Sequence, residues 1–300
     1  MGITLFVLEE LKDKGVIARP GLKVLDIGSS NLYQASAASV IHYVRSFGGS
    51  NDQDLEGFAR RIAKGSAYDA VKGGLNESFV GELLERCGID YLSFDIARGY
   101  KTRIFDLNRE ALPRKCIGAF DVVLNAGTTE HVLNQYNCFK VIHEATRSGG
   151  YMIHQLPVAG ATDHGYFVYT GRMLFDLAKF NDYDIIEARY EGPHNADDLY
   201  RSVSAYASYF PALARLQPSS SGAIPNFSLT VIFLKNGWRP FRASLDTTTS
   251  VGEIPVRVLG AYPASLLTKL KVRVRRSKLV EQNPKLLRLL QWVAHFLRKR

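Results

Sequence analysis

The chain has 300 residues, 46% of them hydrophobic and 22% charged, which is enough for one well-buried α/β domain or two small ones and excludes wholesale disorder. No apolar run approaches the ~20 residues of a membrane-spanning helix, and Cys87, Cys116 and Cys138 have neither CxxC nor zinc spacing, which points to a reducing, cytoplasmic setting without a structural disulfide. The net charge of +9 sits at one end: residues 264–300 hold eleven Lys/Arg against Glu281 alone, leaving the first 263 residues with 27 basic and 28 acidic side chains and no broad positive surface for a nucleic acid.

The N-terminal MGITLFVLEELKDKG turns charged at Glu9 and lacks a small-residue cleavage site, so it reads as a helix over Leu5–Lys14 and not as a signal peptide. The apolar Lys23–Gly28 predicts a first buried strand, followed by the turn GSSN and a helix over Leu32–Arg45. A dinucleotide cradle needs G-x-G-x-x-G so that a pyrophosphate can approach the backbone; GSSNLY has only Gly28 and lacks the other two glycines. A nucleoside without phosphate needs less: one tight turn, here Gly28, Ser29 and Ser30, with Asp26 before it to hold the loop or receive an ammonium group.

Between Gly28 and Asp95 the chain is roughly three times longer than the ~20 residues of a plain dinucleotide unit. Residues 47–88, with a helix near Glu77–Cys87, are therefore expected to form a lid or a dimer contact. Strands follow at Tyr91–Ile96, Arg103–Leu107 and Asp121–Ala126. The first ends in Asp95-Ile96, where a carboxylate can accept two ribose hydroxyls. The next carries Asp106-Leu107, with Asp106 placed for an adenine amine, and the third ends in Asn125-Ala126-Gly127 beside the same crevice. Acids at successive strand ends without a Lys/Arg phosphate clamp suit a cationic, phosphate-free nucleoside.

A helix over Val132–Thr146 is stopped by Arg147-Ser148-Gly149-Gly150, since glycine accepts the positive φ needed there. Strands at Tyr151–Pro157, Asp184–Glu191 and Phe227–Lys235 and a helix over Gly171–Phe180 complete the alternation of a mostly parallel sheet covered on both faces. A second insert, residues 192–225, holds a tyrosine-rich helix (Tyr200, Tyr206, Tyr209) and the loop QPSSSGAIPN. The segment after residue 240 is a basic extension. In KLLRLLQWVAHFLRKR, Leu286, Leu289, Leu290, Trp292, Val293, Phe296 and Leu297 share one helical face opposite Lys285, Arg288, Arg298 and Lys299. That face suits an anionic membrane surface, and equally a helix docked on its own domain.

These segments (VLDIGSSN, YLSFDI, IFDLN, FDVVLNAGTTEHV, the helix through ATRSGGYMIHQLP, and NFSLTVIFLKN) resemble the class I S-adenosylmethionine-dependent methyltransferases over residues 22–235. The resemblance implies a Rossmann-like, doubly wound, seven-stranded sheet with the last strand antiparallel. It also implies cofactor contacts from Asp26, Gly28, Ser29 and Ser30, with Asp95 on the ribose, Asp106 and Leu107 on the adenine, and Asn125 at the methionine end. The departure is Ser29, Ser30 and Asn31 where the family has more glycines; serine can serve there if its φ stays negative.

Methyl transfer to a hydroxyl benefits from a general base, often histidine. His164 in the loop TDHGYF is the first candidate, then His131 and His154, with Tyr166, Phe167 and Tyr169 as an aromatic wall. Each has a structural reading beside it: Glu130-His131 as a helix cap, His154 as a hydrogen-bonded core residue, His164 as a turn residue beside Gly165. No metal is expected. Some related quinone-type methyltransferases carry an acid where this chain has Gly127, and two ligands on one turn are too few for a cation. The sequence thus predicts a methyltransferase acting on an oxygen of a small molecule or a glycan- or lipid-linked acceptor. The alternative is a non-catalytic scaffold that kept the fold.

Overall fold

The computed structural model describes residues 2–48, 53–67, 77–161, 164–192 and 227–244. The chain divides into two units, Met1–Arg242 and Ala243–Arg300, and the second lies almost wholly outside the described residues. The tyrosine-rich helix and QPSSSGAIPN loop of the second insert, and the basic amphipathic tail, also lie outside them.

The elements in chain order are β1 Gly2–Thr4, α1 Leu5–Asp13, β2 Lys23–Ile27, β3 Asn31–Tyr33, α2 Ala37–Arg45, α3 Gln53–Gly65 and α4 Val80–Arg86. There follow β4 Asp90–Asp95, β5 Thr102–Ile104, β6 Phe120–Ala126, α5 Gln135–Ala145, β7 Thr146–Ala159, α6 Gly171–Asn181, β8 Tyr183–Glu191 and β9 Phe227–Lys235. Seven strands form one sheet in the order β5-β4-β2-β6-β7-β9-β8. The first five run parallel, and β9 lies antiparallel between β7 and β8. This is the doubly wound, seven-stranded sheet with an antiparallel last strand that the resemblance implies.

The central strands are buried on both faces, which is why they read as near-continuous apolar runs. Period-two alternation sorts their side chains. Val24, Val122, Leu124, Ile153 and Ile232 face a core built with α1 to α4. Leu25, Ile27, Val123, Met152, Val231 and Phe233 face a second core built with α5 and α6. Helix starts are fixed by side-chain caps: Ser36 accepts from the Ser39 amide, Asn134 from Asn137 and Thr170 from Met173.

The expected helix over 32–45 begins only at Ala37, because Asn31–Tyr33 form a short strand parallel to Gly2–Thr4. The Leu32 amide donates to Ser78 O at 2.9 Å and the Gln34 amide to Ser66 O at 3.1 Å, so non-local partners override the local apolar pattern. The described part of the first insert packs one face into the first core: Leu55, Ala59 and Ile62 of α3 and Val80, Leu83 and Leu84 of α4 are fully buried. The helix expected over Val132–Thr146 starts at Gln135 after a single 3₁₀ turn at Thr129–His131.

Candidate functional site

Parallel strands present their carboxyl ends along one edge, and the crevice forms where the strand order reverses, here between β2 and β6. The chain leaves β2 through Gly28, whose φ of +108° favours glycine. A Cβ there would stand 2.0 Å from Thr128 Oγ1, so the approach of the β6 turn also requires glycine. The Gly28 amide donates to Phe94 O at 2.8 Å, drawing the turn onto β4. Ser29 has a φ of +39°, so the condition that serine backbones keep negative φ is not met; this serine takes the left-handed conformation that glycine would occupy more easily. The following segment is β3 and not a helix N-terminus, so the turn is closed by side chains.

Asp26 does the closing. Its fully buried carboxylate accepts from the Ser30 amide at 2.7 Å, Ser30 Oγ at 3.0 Å and Tyr91 Oη at 2.7 Å. Burial lifts this carboxyl above its ordinary value, against the lowering effect of those three donors. Of the two roles expected for Asp26, loop-holding is the one the geometry serves, since the carboxylate is fully buried and accepts three hydrogen bonds from within the protein.

Register sets the remaining strand-end groups. Ile27 lies opposite Phe94, which brings Asp95 level with Gly28. Asp95 is partly exposed, and its Oδ1 accepts from the Ala97 amide at 2.9 Å. Ile96 is 76% exposed beside it. Asp106 is partly exposed and its Oδ1 accepts from the Asn108 amide at 2.8 Å, whereas Leu107 is buried in the second core. Asn125 departs from the expectation: it is fully buried, and its Nδ2 donates to Thr129 Oγ1 at 3.0 Å and to His154 Nδ1 at 3.1 Å. Both donors are used, so this side chain ties β6 to β7 instead of facing the crevice. Ala126 is likewise buried.

The three candidate histidines separate. His154 is 1% exposed, packed between the rings of Phe139 and Phe233 at 5.6 and 5.4 Å. Burial pushes its imidazole down to about 3, and it is a core residue. His131 and His164 come together instead, with ring centroids 4.9 Å apart, edge to face. The loop after β7 delivers His164: the Tyr166 and Phe167 amides donate to Glu130 O at 2.8 and 3.2 Å. A Cβ on Gly165 would come within 3.0 Å of Glu130, so that loop lies flat over the β6 turn. His164 Nε2 is 3.9 Å from Glu130 Oε1.

Burial raises the Glu130 carboxyl to about 7. His131 is held down to about 4, first by burial and then by the facing His164. Of the expected aromatic wall, only Tyr166 is exposed; Tyr169 is buried and donates to Gln135 Oε1 at 2.7 Å. The meeting of Glu130, His131 and His164 escaped the sequence reading, which counted two ligands on one turn. The third comes from the next strand's loop, more than thirty residues away. The legible signal was that both segments follow adjacent parallel strands.

No protein-family model and no curated protein matches the chain. Among solved structures it is similar to the [4+2]-cyclase SpnF, at 11% identity and a TM-score of 0.41 over 77% of this chain and 82% of that one. It is similar to geranyl diphosphate C-methyltransferase from Streptomyces coelicolor A3(2), at 11% identity and a TM-score of 0.37 over 77% of each chain. A third is phosphoethanolamine N-methyltransferase 2 from Haemonchus contortus in complex with S-adenosyl-L-methionine, at 12% identity and a TM-score of 0.36 over 76% of this chain and 51% of that one. The likeness is one of fold.

Proposed function

We propose that this chain transfers a methyl group from S-adenosylmethionine to an oxygen of a small molecule or of a glycan- or lipid-linked acceptor, leaving S-adenosylhomocysteine. The observation that carries the reading is the alignment of a closed Gly28–Ser30 turn with the Asp95 carboxylate at the switch point of the sheet. Asp95 Oδ2 and Asp106 Oδ2 make no hydrogen bond to another described residue, so each fits a nucleoside: Asp95 for the ribose hydroxyls, Asp106 for the adenine amine. No Lys or Arg is bonded to either carboxylate among the described residues, which suits a cofactor that carries a sulfonium and no phosphate.

When bound, that cofactor supplies an electrophilic methyl group. This chain's residues do the positioning, which is where most of such catalysis lies. The Ser29 backbone takes the methionine end, since the Gly28 and Ser30 amides and the Asn125 side chain are committed elsewhere. His164, 52% exposed, and His131 stand at the adjoining strand ends to accept the acceptor's hydroxyl proton, while His154 is withdrawn into the core. Equilibrium titration with S-adenosylhomocysteine, beside NAD as a dinucleotide control, tests the reading. Binding of the first alone is expected. Binding of NAD instead, or of neither by folded protein, would overturn it.

A further inference from the structure

The turn after β2 departs from glycine at Ser29, and the loop after β4 answers that departure at Gly99. Ser29 holds a φ of +39°, a left-handed conformation that serine keeps only where its surroundings fix it. Its side chain is buried, and Thr102 Oγ1 at the start of β5 donates to Ser29 Oγ at 3.2 Å. The fully buried Ser93 stands behind that contact, with its Oγ 2.8 Å from Thr102 Oγ1.

Gly99 lies against the same serine. A Cβ there would fall 2.2 Å from Ser29 Oγ, 2.8 Å from Ser29 Cβ and 3.0 Å from Thr102 Oγ1. The φ of Gly99 is not left-handed, so what demands glycine is room alone. Rotating the serine hydroxyl aside would relieve the first contact but break the bond from Thr102. Ser29 Cβ is fixed to the backbone and can yield only if the turn itself moves. Gly99 belongs to the loop between β4 and β5 that follows Asp95, and this loop is anchored where Ser93 pairs with Thr102. The contact therefore joins the backbone assigned to the methionine end of the cofactor to the loop assigned to its ribose.

We propose that Gly99 is a positioning residue for the cofactor: by leaving room for the Ser29 side chain, it locks the Gly28–Ser30 turn against the Asp95 loop. The inference rests on the methyltransferase reading. In this chain the glycine missing from position 29 is required at position 99, and the two positions act as a pair.

The test is a double-mutant cycle on S-adenosylhomocysteine binding, measured by calorimetry on the full chain for the parent, G99A, S29G and S29G/G99A, with circular dichroism on each. In the parent background G99A is expected to weaken binding about tenfold or more, as for a methyl group forced into a filled contact. In the S29G background, where Oγ and Cβ are gone, the same substitution should change binding by less than about twofold. A general disturbance of the loop would weaken binding equally in both backgrounds; that result, or no effect in either, would overturn the role. Should G99A alone fail to fold, the comparison of S29G/G99A with S29G decides: equal affinity supports the pairing, and a lower affinity in the double variant overturns it. Absence of binding by the folded parent overturns the methyltransferase reading and this role with it, whereas parent binding that G99A leaves intact overturns the role alone.

Discussion

At the scale of single residues, two positions have consequences that stability measurements read directly. Gly28 combines a φ of +108° with a Thr128 Oγ1 that would lie 2.0 Å from any Cβ. Gly28→Ala is therefore expected to cost about 2–3 kcal/mol through strain and overpacking, visible as a lowered urea midpoint at unchanged m-value. His143 is buried in α5, with Tyr183 Oη at 2.5 Å from Nδ1 and Arg239 O at 2.6 Å from Nε2, an arrangement that suits a neutral ring donating from Nε2. Burial, then the neighbouring Lys235 ammonium, pushes its imidazole down to about 4. Between pH 4 and 6.5 the unfolded chain binds the proton that the folded chain refuses, so this stability is present above pH 6.5 and lost as pH falls towards 4. The loss amounts to roughly 3 kcal/mol. Urea midpoints from pH 7 to 4.5 should fall less steeply in His143→Gln than in the parent; an unchanged slope would contradict the assignment. His154, held down to about 3, keeps its own share of the slope in that variant.

At the scale of elements, the edge of the sheet is tied to α1 by one charged cluster. Arg189 of β8 donates to both carboxylate oxygens of Glu10 at 2.7 and 2.6 Å and to Glu191 at 3.0 Å. Arg189 is 36% exposed, so the cluster is screened by water and salt. Arg189→Ala is expected to cost at most about 1 kcal/mol in low salt, and the difference in midpoint should vanish in concentrated sodium chloride. The elements also show what was legible from sequence. All seven strands of the main sheet could be read: the central ones are runs buried on two faces and bounded by turn residues, as in FDVVLNAG, while the edge strands β5 and β8, largely exposed, were legible from their place in the alternation of strands and helices. The strand Asn31–Tyr33 could not, since its pairing partners at Gly2–Thr4 are distant in sequence and Leu32 fits a helical period equally well. The strand-end acids Asp26, Asp95 and Asp106 were readable from spacing. The internal use of Asp26 and Asn125 was not, because it depends on Tyr91, Thr129 and His154 arriving from neighbouring elements.

At the scale of the whole molecule, the sheet places one closed turn, two accessible strand-end carboxylates and two paired imidazoles along the same edge. Among the described residues, no helix is long and apolar enough to cross a membrane, and Cys87, Cys116 and Cys138 are buried and unpaired. The charge of the first 263 residues is near balance. The central claim is that this edge binds S-adenosylmethionine through Asp95. The measurement that tests it is calorimetric titration of S-adenosylmethionine into the parent protein and the Asp95→Ala variant, with circular dichroism confirming that both are folded. Saturable one-to-one binding by the parent, weakened by at least about tenfold in the variant as expected for a lost charge-assisted hydrogen bond of ~1.5–3 kcal/mol, is the predicted result. Equal binding by both proteins, or none by the parent, would contradict it.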